Sequence, residues 1–135
     1  MNKEQAQQHI ESCLQESDSF IGFFQAIEPP KIWLFFLIGP LAVFSMKSYF
    51  LAVTEAGIYF HKLSLLGKFN GYDFFTYDDI ENVKIGKGLL QRPIKFKFKN
   101  NRKITVKAQL KGVEKIAKIT PEVQQYIEGN IPVIS

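Results

Sequence analysis

His9, His61, Cys13 and the acidic group Asp78, Asp79 and Glu81 carry the side chains of this 135-residue sequence whose types could do chemistry. Acid–base work by an imidazole needs a partner that positions it, and metal ligation needs a second His or a Cys at a fitting spacing. Neither histidine is read as part of such a local set, and His61, closing an apolar strand, is expected to be partly buried or satisfied in a turn. Asp78 and Asp79 sit beside the apolar Ile80 without the glycine-containing pattern of a calcium loop, so they read as turn or cap residues. Gly86-Lys87-Gly88 lacks the remaining glycines and the following helix of a phosphate-binding loop and reads as a turn. Cys13, the sole cysteine, excludes an intrachain disulfide and a cysteine-based metal cluster, and as a small apolar residue it suits a helix stripe. No catalytic, metal-ligating or cofactor set emerges, which points to a protein that is not an enzyme.

The stronger chemical signal is cationic. Lys84 to Lys118 holds twelve of the seventeen Lys and Arg residues and one acid, Glu114, while Met1 to Val83 holds five basic and ten acidic residues. The net charge of +4 therefore conceals a local excess able to steer an anionic partner to one face. Lys95, Lys97, Lys99, Arg102, Lys103 and Lys107 are expected to make that contact, with Lys84, Lys87 and Arg92 peripheral. Anionic lipid headgroups and an acidic protein segment are the candidate partners. Nucleic acid ranks last, because Phe96 and Phe98, interleaved with these lysines, must face the core and are lost to base stacking.

A second feature is apolar. Ile32 to Met46 runs almost without a polar residue, bracketed by Lys31 and Lys47 and broken at Gly39-Pro40. It is too short for a bilayer span of about 20 residues. Two readings stand: a buried helix-turn or hairpin that fills the core or a subunit contact, or a monotopic anchor dipping into one leaflet. Trp33, Phe35, Phe36 and Phe44 are its candidate membrane or self-association surface. The rival to a lipid-binding module is accordingly a homo-oligomeric structural protein whose insertion is the subunit interface and whose lysines keep it soluble.

The elements that must position these residues follow from length and periodicity. A chain of this size, 46% apolar and 22% charged, fits a single domain over residues 1–135. Ala6, Ile10, Cys13 and Leu14 recur at helical spacing behind an Asn2/Gln5 capping pair, predicting an N-terminal helix within residues 1–17, from Lys3 to about Glu16. Phe20 to Ile27 reads as a first strand, stopped by Pro29-Pro30, and residues 29–46 are the apolar insertion. Short strands follow: Tyr49–Thr54, Ile58–Lys62, Phe69–Tyr77, Ile80–Ile85, Ile94–Lys99 and Lys103–Ala108, a spacing typical of a closed or sandwiched antiparallel sheet. Val113, Ile116, Thr120, Val123 and Ile127 predict a C-terminal helix over 111–129, kinked near Thr120 or split in two. The N-terminus has no apolar run of the secretory type and the chain has one thiol, so the expected location is the cytoplasm, or the inner membrane face as a peripheral protein.

Around Asn100-Asn101 the register can be argued further. Burying Phe96, Phe98, Ile104 and Val106 on one face requires an odd-length loop, which is assigned to Asn100-Asn101-Arg102 with an Asn in the left-handed region, pairing Phe98 with Ile104. The lysines then share the outer face despite the cost of like charges set opposite one another.

Several strings carry a family likeness: Leu51-Ala52-Val53-Thr54-Glu55-Ala56-Gly57-Ile58-Tyr59-Phe60, Thr76-Tyr77-Asp78-Asp79-Ile80-Glu81-Asn82-Val83, the Gly86-Lys87-Gly88-Leu89-Leu90 turn and the terminal helix. With the strand order, they make Phe20 to Ile127 resemble the bacterial PH-like domains of the pleckstrin-homology superfold. The resemblance implies a mainly β fold: a bent seven-stranded antiparallel barrel capped by a C-terminal helix, often homo-oligomeric. Eukaryotic relatives often bind phosphoinositides through basic residues between the first two strands. Here that connection is the apolar insertion, so that site is not carried over.

Overall fold

Asn2 starts the first helix by a reciprocal cap: its Oδ1 accepts from the Gln5 N–H at 2.8 Å while Gln5 Oε1 accepts from the Asn2 N–H at 3.0 Å. A computed structural model describes residues 1–88, 91–109 and 117–135, apart from the side chains of Ile32, Val43 and Phe44. Helix α1 spans Lys3–Ser12 and buries Ala6 and Ile10. It stops short of Glu16 because the Gln15 N–H is drawn to the Tyr59 hydroxyl at 3.1 Å.

Seven strands follow: β1 Phe20–Glu28, β2 Lys47–Thr54, β3 Gly57–Leu63, β4 Phe69–Thr76, β5 Ile80–Ile85, β6 Gln91–Phe98 and β7 Lys103–Gln109. They form one antiparallel sheet in the order β4-β3-β2-β1-β7-β6-β5, open between β4 and β5. The sheet folds back on itself, since Phe60 of β3 meets Phe96 of β6 with ring centroids 5.5 Å apart and Phe75 of β4 meets Phe98 at 4.4 Å. The inner faces close the main core around Phe24, Leu51, Ile58, Phe60, Phe96 and Val106.

The two halves of the sheet differ on their outer faces. β2 is buried without interruption from Tyr49 to Thr54, because α1 lies over Phe23, Phe50, Ala52 and Tyr59 on the outside of β1 to β3. β5 to β7 alternate buried and exposed residues, with nothing laid over their outer face among the described residues.

Three expectations are corrected. The β6–β7 loop is Lys99-Asn100-Asn101: the Phe98 N–H donates to Arg102 O, and Phe96 pairs with Ile104 and Ile94 with Val106. The odd length holds, as does an Asn in the left-handed region (Asn101, φ 70°), but the pairing is shifted by two residues, which moves the three-residue loop back by one. The C-terminal helix, α3, spans Pro121–Asn130 rather than starting at Lys111. Ala117 and Ile119 instead bond to Gln25 and Gln109 on β1 and β7, and the residue before Pro121 is held out of the helical region, leaving Thr120 as the cap. The part of the expected helix over 111–116, with Val113 and Ile116, lies outside the described residues.

The third correction concerns the insertion. It forms helix α2, Ile32–Ile38, and a 3-10 segment, Gly39–Ser45, with Gly39 at φ 61° turning the chain between them. It is not core filling within the chain: Phe36 is 86% exposed, Leu37 70%, Leu41 61% and Trp33 54%, with Phe35 also exposed. The run holds seven helical residues followed by Gly-Pro, too little to lay a stripe against the sheet. Phe44, named with them, lies outside the described side chains.

Candidate functional site

Because β6 and β7 point Ile94, Phe96, Phe98, Val106 and Ala108 into the core, the intervening side chains must point outward. Register then builds a cationic surface. Lys84 of β5 lies opposite Lys95 of β6, which lies opposite Thr105 of β7; in the next row Asn82, Lys97 and Lys103 are aligned. Lys107 stands further along β7 opposite Pro93. Lys95, Lys99, Arg102, Lys103 and Lys107 are exposed and Lys97 is half-buried. Lys97 pairs with Glu81 at 3.2 Å, and no other lysine of this face has an acid within salt-bridge distance among the described residues. Lys84 and Lys87 are exposed beside it, but Arg92 turns away and bonds to Gln124 Oε1 of α3.

The same strand directions gather three connections at one end of the barrel. β1 ends where the insertion begins, β2 starts where it ends, and the β3–β4 loop lies next to them, since Ser48 pairs with Leu63. β7 runs antiparallel to β1, with Ile27 opposite Lys107, so its beginning and the β6–β7 loop project the same way as the end of β1. Tyr49 on β2 reports this proximity. Burial pushes its phenol upward, the charge and hydrogen bond of Glu28 at 3.0 Å add to the effect, and the positive charge of Arg102 opposes it. Leu65 and Leu66 of the β3–β4 loop are 76% and 84% exposed, so they extend the apolar tip made by α2. An open cleft of about 410 Å³ lies between the start of β2 and the β3–β4 loop, lined by Met46, Lys47, Tyr49, Lys62, Leu63 and Leu65 among others. The tip is thus greasy, with Lys31, Lys47, Lys68, Lys99, Arg102 and Lys103 in the same three connections or at the strand ends beside them.

A family model for the bacterial PH domain matches residues 20–122. The chain belongs to the bacterial PH domain family. Among solved structures, this PH domain is similar to the hSac2 domain from human phosphoinositide phosphatase Sac2, with a TM-score of 0.59 and 16% identity over 97% of this chain and 85% of that one. At that identity the likeness shows the fold alone. A search of the curated proteins finds no match.

Helix α1 precedes the segment matched to the PH family, and it carries a cluster that the sequence analysis overlooked. His9 and Cys13 lie four residues apart, one helical turn, with Nε2 and Sγ 3.7 Å apart. Both sit over His61, whose outward position on β3 places it under the helix, and the three ligand-type atoms all lie within 4.8 Å of one another. His61 is 1% exposed, and neither of its ring nitrogens has a hydrogen-bond partner. Burial, with a smaller contribution from His9, holds its pKa down at about 4, so the ring is neutral at pH 7. The i,i+4 spacing of His9 and Cys13 was the signal available in the sequence; that His61 lay beneath them was not.

Proposed function

We propose that this bacterial PH domain is a non-enzymatic, membrane-proximal binding module that docks its tip on an anionic bilayer at the cytoplasmic face. Trp33, Phe35, Phe36, Leu37, Leu41, Leu65 and Leu66 enter the interface, while Lys99, Arg102 and Lys103 meet the headgroups. Lys95, Lys97 and Lys107 extend the positive field along the sheet. What supports this reading above all is the coincidence of exposed apolar side chains and unpaired cations at one end of the barrel. An amphipathic surface of that kind combines two weak anchors, apolar burial and about 1 kcal/mol for each Lys or Arg near an anionic surface, where either alone gives marginal binding. No helix among the described residues is long and apolar enough to cross a membrane, so the anchor would be peripheral.

Flotation with neutral and anionic vesicles at low and physiological salt tests it. Binding is expected on anionic vesicles, weakened by salt, reduced in Lys95→Glu/Lys97→Glu/Lys107→Glu and lost in Lys99→Glu/Arg102→Glu/Lys103→Glu. Failure to float under any condition would overturn the proposal. A defined oligomer whose mass falls on Trp33→Ser or Phe36→Ser would then favour the homo-oligomer whose interface is the insertion, and a monomer would favour an acidic protein segment as partner.

A further inference from the structure

We propose that His9, Cys13 and His61 form a three-ligand site for a thiophilic divalent cation of the Zn²⁺ type, which fastens α1 to the outer face of the sheet. The donor set is two imidazoles and one thiol, a combination that suits Zn²⁺ and not the oxygen-seeking Mg²⁺ or Ca²⁺. Geometry agrees. Tetrahedral Zn²⁺ with its usual bond lengths sets a sulfur and a nitrogen ligand about 3.6 Å apart, and His9 Nε2 to Cys13 Sγ is 3.7 Å.

The independent observation is His61. A buried imidazole carries one donor and one acceptor, and both are ordinarily satisfied. Here neither nitrogen has a partner, although the residue is 1% exposed. The surrounding rings brace the cluster without meeting that need: His9 stacks on Phe69 with centroids 3.9 Å apart, Phe69 stands edge-on to His61 at 5.5 Å, and Tyr72 tilts over His61 at 5.0 Å. A metal bond to one nitrogen meets half of that deficit. His9 is exposed and Cys13 half-buried, so ions can enter from solvent, and a water completes the fourth position. On binding, the Cys13 thiol loses its proton to solvent and the cation keeps its oxidation state. Since His9 on α1 and Cys13 at its C-terminal cap lie outside the PH-matched segment and His61 lies on β3, occupancy would couple the docking of α1 to metal supply.

The test uses the tag-free full chain, stripped with chelator and kept reduced, titrated with Co²⁺. The expected result is one equivalent bound, with a thiolate-to-metal charge-transfer band, visible bands of tetrahedral intensity, and bleaching of both by Zn²⁺. Cys13→Ser should abolish the charge-transfer band, and His9→Ala, at an exposed position that leaves the fold intact, should weaken binding about a hundredfold or more. His61→Gln should do the same. Should it fail to fold, the two α1 variants decide. Octahedral spectra without charge transfer would overturn the site, as would a wild-type band unchanged in His9→Ala.

Discussion

Phe36→Ala isolates the apolar half of the proposed membrane contact. Phe36 is the most exposed of the described large apolar residues, at 86%, so almost all of its side chain is available to a bilayer and almost none contributes to the fold. Fully burying a Phe side chain contributes about 1.5–3 kcal/mol, and the methyl left by Ala retains part of that. The remaining loss of about 2 kcal/mol corresponds to a roughly thirtyfold fall in partition coefficient, at about 1.4 kcal/mol per factor of ten.

The assay is co-sedimentation with vesicles of phosphatidylcholine containing graded phosphatidylglycerol, at low and physiological salt, reporting the molar partition coefficient. The apolar loss should be the same at both salts. The Lys99→Glu/Arg102→Glu/Lys103→Glu variant should instead lose binding most at low salt, where its three charges, each worth about 1 kcal/mol, are least screened. Ile21→Ala, 37% exposed but at the opposite end of β1, is the matched control and should bind like wild type. Wild-type partition in Phe36→Ala, or an equal loss in Ile21→Ala, would refute the assignment of the tip. Circular dichroism should show Phe36→Ala fully folded.

Asp18 ties the start of β1 to the β2–β3 turn, accepting from Thr54 Oγ1 at 2.6 Å, the Ala56 N–H at 3.0 Å and the Tyr59 hydroxyl at 3.1 Å. Asp18→Ala should therefore lower stability by about 2–3 kcal/mol in urea titration, as for hydrogen bonds to a charged group, two of whose partners, Thr54 and Tyr59, stay buried. Asn101→Gly should leave stability within a few tenths of a kcal/mol, whereas Asn101→Val, forced into φ 70°, should cost about 1–2 kcal/mol by the same measurement. The Tyr77 hydroxyl donates to Thr54 O at 2.6 Å, and burial first, then Tyr126 and Asp18, push its ionisation far above 10. Its folded pKa is raised, so its stabilisation is complete below pH 10 and lost as pH climbs above it. Urea titrations between pH 8 and 12 should show a shallower alkaline decline in Tyr77→Phe than in wild type; identical slopes would refute this.

Much of the fold was legible because side-chain period decides which face is buried. Alternation put Phe96 and Phe98 inward and the lysines outward, and demanded an odd-length loop, for which an Asn in the left-handed region was expected. The same alternation is blind to a shift of two residues, which preserves every face, so the loop itself was misplaced. A helical stripe through Thr120 failed for a related reason. Apolar spacing cannot show that the Ala117 carbonyl accepts from Gln25 on β1 and the Ile119 N–H donates to Gln109 on β7. The insertion's aromatic run was plain, but its exposure was not, because apolar composition does not show that seven helical residues ended by Gly-Pro are too few to lay a stripe against the sheet.

That division of the sheet explains where function can sit. On β2 and β3 both faces are buried over Tyr49–Thr54 and Gly57–His61, and α1 covers the outer one, closing over His61. On β6 and β7 the outer face sets Lys97 opposite Lys103, and Lys95 opposite Lys84 on β5, against the local electrostatic preference, with one acid, Glu81, to relieve it. A solvated face needs charges, but it is better served by mixed signs than by one sign in register. Acids are abundant elsewhere in the chain and nearly absent between Lys84 and Lys118. The repulsion is therefore a property of the bare half alone, and an anionic surface brought against it would relieve a cost the isolated fold already carries.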